Sequence, residues 1–306
     1  MHSVFRRNQW LGIAVLGLLA SWPGLLPGDT AASASWELRP VAVLEGFDTP
    51  ECVCLDPATG TAYVSNVVAP KLVAEKVNVT DGTGFISRLA PGGQIDTLRW
   101  IESTPAAPLN AIKGMCIQDG VLYGADLTRV VRYEIATRKS LPPIEIAGAI
   151  MLNDMYSDGR QVYVSDTRGG RIYRLDGQQA AEFAVLKGAN GLTMAGGRFY
   201  ALSTTEHDLF EIDVRGERQP RPFGLAEHFV GPDGIEVLAD GSFLVSDVRG
   251  HKLLHVGSDH RTVRVLAELQ YPADIGLDRQ RNLLFVPLFW DSRVMVYQLP
   301  ILPARP

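Results

Sequence analysis

Six short segments of this 306-residue chain begin alike and differ at their second residue. They are PECVCLD from Pro50, IKGMCIQ from Ile112, LNDMYSD from Leu152, ANGLTMA from Ala189, PDGIEVL from Pro232 and PADIGLD from Pro272. Their second residues are Glu51, Lys113, Asn153, Asn190, Asp233 and Ala273. Brought together, two carboxylates and two amides are costly to bury unpaired. Glu51 and Asp233 would repel, and one would hold its proton to higher pH unless a cation sits between them. Oxygen-only donors of this kind suit Ca²⁺ or Mg²⁺, with water completing the shell. Zn²⁺ is a less natural guest, because neither Cys nor His stands in the set. The same residues are also compatible with a wet channel in which they bond only to loop backbone and water, and the residues alone leave both readings open.

The spacing says what must position them. The segments start 62, 40, 37, 43 and 40 residues apart, the size of one four-stranded propeller blade. Each is followed by a second apolar run: AYVSN to Asn66, LYGAD to Asp126, VYVSD to Asp166, FYALS to Ser203, FLVSD to Asp247 and LFVPL to Leu288. Turn residues such as QDG, SDG, AGG and ADG separate the two runs. A third strand-like run and a more variable fourth complete each unit, and no long helical period appears after residue 35. The expected fold is all-β: a six-bladed β-propeller of four-stranded blades, with the first strand of every blade lining the central channel. The last repeat has only three strands before the chain ends, and RPVAVLEGF, residues 39–47, stands where a fourth would be. The N-terminal strand is therefore expected to close the last blade and lock the ring. The extra residues between Glu51 and Lys113 read as a loop insertion at 67–84 that overhangs one face.

Composition bounds the rest. Hydrophobic residues make up 46%, enough for a sizeable core, and 30 Gly with 19 Pro suit many short strands. The net charge is −5 without a basic block, which argues against a nucleic-acid partner. Arg6 and Arg7, an apolar run at 10–26 and Ala32-Ser33-Ala34 read as a signal peptide over residues 1–34, cleaved after Ala34. The propeller domain is then 35–306, periplasmic or secreted, without stable membrane insertion after cleavage, and monomeric. The three cysteines, Cys52, Cys54 and Cys116, are an odd count that argues against a disulfide framework. Cys54 and Cys116 occupy equivalent places in the first two repeats, so a bridge between neighbouring strands is conceivable beside the plainer reading of small buried hydrophobes.

PECVCLDPATGTAYVSN, LNDMYSDGRQVYVSD, NGLTM and GPDGIEVLADGSFLVSD, in this order and spacing, resemble the senescence marker protein/gluconolactonase/luciferin-regenerating enzyme family of six-bladed propellers, over residues 36–299. The resemblance implies a divalent metal in the channel, most commonly calcium, with Mg²⁺ or Zn²⁺ as alternatives, and hydrolysis of a lactone or related ester. It makes Glu51, Asn190 and Asp233 metal ligands and gives Asn153 contact with metal, its water or substrate. Asp233 or another carboxylate then takes the proton of the attacking water. Asp154 and Asp274, next in their repeats, are candidates for supporting that shell, or for plain turn and strand-start hydrogen bonds. His228, five residues before Asp233, is a candidate substrate contact at the channel mouth.

Lys113 departs from this pattern. It either pairs with Glu51 and weakens metal binding, or contacts a substrate carboxylate or oxyanion, or carries its ammonium out to solvent. The rival readings are a non-catalytic propeller that binds a ligand or protein, and a strictosidine-synthase-like propeller, which the acidic and amide ring disfavours.

Overall fold

The structure is a computed structural model that describes residues 38–300 except 216 and 217. The expected signal peptide, its expected cleavage site and the outer limits of the domain lie outside the described residues. Six four-stranded antiparallel sheets follow one another along the chain. Five are built from consecutive strands. The sixth runs Arg39–Glu45, Arg293–Gln298, Leu283–Leu288, Gly276–Asp278, so the N-terminal strand closes the last blade in the register Val43 opposite Met295.

The blades are held by apolar seams between neighbours. Cys54 lies in the seam of blades 1 and 2 with Ile112 and Leu122. Cys116 faces the next seam, with Ile144 and Leu152. The two pack into different seams while lining one cavity, and all three cysteines are buried free thiols. The insertion sends Val67, Ala69 and Val77 onto Ala111, Ala273 and Phe289, covering the channel end above blades 1, 2 and 6.

The inner strands carry the feature that matters for chemistry. In Pro50–Leu55, Ile112–Gln118, Leu152–Ser157, Ala189–Ala195 and Pro232–Val237 the pairing with the second strand slips directly after the first residue. Pro50 faces Asn66, but the next pair is Val53 with Val64. Two residues thus oppose one, a β-bulge, and one of the two is always the variable second residue. Bulges re-aim side chains and occur next to active sites for that reason.

A bulge strands a backbone N–H, and the second strand supplies the acceptor. Ser65 Oγ accepts from Cys52 N–H (3.0 Å), Ser165 Oγ from Asp154 N–H (2.9 Å) and Ser246 Oγ from Gly234 N–H (2.8 Å). The acid after the serine ties down the loop that leads into the inner strand. Asp166 accepts from Ile150 and Met151 N–H, and Asp247 from Val230 and Gly231 N–H.

The sixth inner strand differs. Its ladder is only Gly276–Asp278 long. Upstream, Asp274 N–H donates to Glu51 C=O (2.8 Å) and Val53 N–H to Asp274 C=O (3.3 Å). The segment is stitched parallel to the inner strand of blade 1 and seals the ring where the chain ends meet.

Candidate active site in the propeller channel

Each of the first five variable residues is delivered by its bulge to the upper end of the channel, the end at which the inner strands begin. Glu51, Lys113, Asn153, Asn190, Asp233 and Ala273 are all buried. Lys113 is only 3% exposed, so, contrary to one of the sequence expectations, its stem does not carry the ammonium to solvent. Glu51 Oε2 is buried and accepts no hydrogen bond. The Asn190 side-chain amide donates to Asp233 Oδ1 at 2.6 Å, which fixes one carboxylate oxygen and leaves the other.

Electrostatics bind these groups into one unit. Burial pushes the Glu51 carboxyl well above the usual range; Lys113 pulls it back, and Asp233 and Asp154 push it further. Burial raises Asp233 to about 6, against the opposing effects of the Asn190 hydrogen bond and Lys113. Burial lowers the Lys113 ammonium, and Glu51 and Asp233 oppose that. Yet Lys113 forms no ion pair within 4 Å among the described residues. Glu51 and Lys113 thus face each other through the field rather than through a direct contact.

This donor set is a poor home for a divalent metal. Glu51, Asn153, Asn190 and Asp233 offer oxygen, and the free Glu51 Oε2 invites a positive partner. But a buried ammonium already stands among them. For scale, unit charges 4 Å apart at an effective dielectric of about 20 interact by about 4 kcal/mol, and a divalent ion doubles that. Among the described residues no group of three or more His, Cys, Asp or Glu side chains is arranged to hold a metal. What opposes the metal expected from the resemblance is the buried Lys113 ammonium, which supplies the positive charge of the ring.

One residue further along, a second layer of the channel holds Asp154 and Asp274. Asp154 accepts from Met155 N–H (2.6 Å) and from Leu192 N–H of the next blade (2.5 Å). The Asp154 and Asp274 carboxyls act on each other through the field, and Asp274 pairs with Cys52 in a parallel bridge of backbone. Burial raises Asp154 to about 7 and Asp274 well above the carboxylate range. These two form the floor beneath the ring. A separate cavity of about 320 Å³ reaches them, with Cys52, from the lower face.

His228 sits on a short 3-10 helix, Ala226–His228, and its imidazole lies 3.6 Å from Glu227. It belongs to the upper rim rather than to the ring. The sequence reading passed over two other rim residues, Arg168 and Arg249. Both follow the second strand in matching turns, DTRGG and DVRGH, and that match is the signal that could have found them. Arg168 acts on Lys113 and Arg249 on Asp233.

No protein-family model and no curated protein matches the chain in sequence. Solved structures do match in fold. A candidate gluconolactonase has a TM-score of 0.62 at 18% identity, covering 87% of this chain and 93% of that one. A gluconolactonase from Xanthomonas campestris gives 0.64 at 16%, covering 86% and 95%. Virginiamycin B lyase from Staphylococcus aureus, in a catalytically inactive His-to-Ala form with quinupristin, gives 0.57 at 13%, covering 85% and 99%. The chain is thus a six-bladed β-propeller similar in fold to gluconolactonase propellers and to virginiamycin B lyase.

Proposed function

We propose that this propeller is a hydrolase of a lactone or related ester, working in the upper ring of the channel. The observation that carries the reading is the unpartnered Glu51 Oε2 facing a buried Lys113 among bulge-delivered polar groups. An interior that leaves a carboxylate oxygen without a hydrogen-bond partner near a buried ammonium is built for a ligand rather than for stability. The gluconolactonase neighbours support the reaction class.

The residues divide the work as follows. A lactone carbonyl entering the ring meets the Lys113 ammonium, which polarises it and stabilises the oxyanion formed on attack. Asp233, raised to about 6 and held by Asn190, is ionised near neutral pH and takes the proton of the attacking water. The C–O bond of the ring then breaks, and the leaving alkoxide recovers a proton from Asp233 to give the hydroxy acid. Glu51 balances Lys113 and is placed to bond a substrate hydroxyl. A metal of the kind the resemblance implies would supply Lewis-acid chemistry; here no step is assigned to one.

The lyase relatives suggest elimination instead. The lyase solved with quinupristin is inactivated by loss of one histidine, and the ring of this chain contains none, which favours hydrolysis. A panel of lactones and aryl esters, with and without EDTA, tests the proposal. Hydrolysis that survives EDTA supports it. Inactivity across the panel, with and without added calcium, leaves the binding-module reading instead. Export is part of the same proposal: mature protein recovered outside the cytoplasm should begin at Ser35.

A further inference from the structure

The upper rim of the channel carries two arginines with no acid of their own. Arg168 and Arg249 hold the same place in the turns after the second strands of blades 3 and 5. Both are exposed, and neither guanidinium makes a hydrogen bond or ion pair among the described residues. The acids nearest in sequence are committed elsewhere. Asp166 accepts from the Ile150, Met151 and Gly169 N–H groups, and Asp247 from Val230, Gly231 and Gly250. Blade 2 shows the contrast, since its Asp126 does pair with an arginine, Arg129, at 3.0 Å. Glu206, on the turn of blade 4 between them, pairs with neither.

Arg249 is also seated. A Cβ at Gly231 would lie 2.8–2.9 Å from its Cβ, Cγ and Cδ, so the glycine at the start of the fifth inner strand makes room for the stem. From there the guanidinium acts on Asp233, and Arg168 acts on Lys113 from the other side of blade 4. Two free guanidinium groups thus flank the opening above Asn190 on matching blades.

We infer that Arg168 and Arg249 form a receiving site for an oxyanion carried by the substrate, so that the ring acts on lactones bearing a carboxylate or phosphate. The inference rests on the hydrolase reading for the word substrate, but the anion site stands or falls by binding alone. Guanidinium groups suit such anions because their paired N–H donors match two oxygens at once.

The test is calorimetric titration of the full-length protein with D-galacturonate, D-galactose 6-phosphate and neutral D-galactose. Galacturonate or the phosphate should bind at least about tenfold more tightly than galactose, as one charge-assisted pair provides. Whichever of the two binds more tightly names the anion. Raising NaCl from about 20 to about 200 mM should reduce that preference, because the arginines are exposed. Arg168→Gln and Arg249→Gln should each cut it about threefold to tenfold, and the double variant should erase it. Equal binding of all three sugars, or a preference that survives the double variant, overturns the inference. Comparing D-glucaro-1,4-lactone with D-galactono-1,4-lactone separates the two claims. Equal hydrolysis of both by a protein without anion preference defeats only the arginine site. Arginine-dependent binding without hydrolysis of either defeats only the hydrolase reading.

Discussion

Two layers of buried carboxylates lie one residue apart in this channel, and they differ in what their oxygens touch. In the lower layer both Asp154 oxygens accept backbone N–H bonds, one from Met155 and one from Leu192 across the blade boundary. In the upper layer Glu51 keeps an oxygen without a partner, and Asp233 is held through one oxygen only. Burial is the same in both. What separates structure from function is therefore the accounting of partners: satisfied acids knit neighbouring inner strands, and unsatisfied ones face a ligand.

Substitutions in the upper layer should break activity and spare the fold. Asp233→Asn removes the base and should lower kcat by about 10²–10⁴, with melting temperature nearly unchanged. Lys113→Met removes the oxyanion donor and should lower kcat by about 10²–10³. Lys113→Asn adds a sharper outcome. With the ammonium gone, millimolar calcium should raise the melting temperature of that variant and not that of the wild type. Stoichiometric calcium binding by the wild-type protein would show that Lys113 does not play the cation here. The pH profile follows from the same groups. kcat/KM should rise as Asp233 ionises near pH 6 and fall at alkaline pH as Lys113, lowered by burial, loses its proton.

Much of this was legible before any coordinates. Six repeats near 40 residues fix the blades, and the unpaired run at 39–47 fixes how they close, because blade size and strand count are periodic properties of the chain. The ring was legible too, since its members share one position in the repeat. What the repeat could not show was the bulge. A register slip leaves no periodic trace, and only the hydrogen bonds of Ser65, Ser165 and Ser246 reveal why that serine recurs in the second strand. Lys113 was equally opaque, because a lysine stem of four carbons permits every outcome from ion pair to solvent, and only its burial decides. Arg168 and Arg249 were readable as a matching pair, but not as unpaired, since Asp166 and Asp247 lie two residues before them and are spent on backbone instead.

The lower layer should behave in the opposite way, losing stability before activity. Asp154→Ala leaves the N–H groups of Met155 and Leu192 buried without acceptors, at about 1–3 kcal/mol each, so chemical denaturation should report a loss of about 2–6 kcal/mol. Its titration carries a sign that can be checked. A carboxyl that folding raises from about 4 to about 7 binds its proton more tightly in the native state. That contribution is complete below about pH 4 and is lost as the pH rises through about 7. The wild-type melting temperature should therefore fall between about pH 5 and about pH 8, and Asp154→Asn should flatten that slope. A slope unchanged in the variant would place the proton elsewhere.

The smallest expected effect links the two layers. Ser246 and Ser165 perform the same task at equivalent places in blades 5 and 3, each accepting the N–H of the residue that follows a ring residue. Ser246 serves Gly234, next to the proposed base Asp233, while Ser165 serves Asp154 in the floor. Alanine at either position strands one buried N–H and should cost about 1–3 kcal/mol of stability. Only Ser246→Ala loosens the backbone that aims Asp233, so only it should lower kcat, with KM held, because positioning rather than binding is lost. Ser165→Ala should melt earlier and turn over normally at temperatures where it is folded. If both variants lose stability alike and neither loses kcat, the bulge is a device of folding alone, and the aim of Asp233 is set by its bond to Asn190.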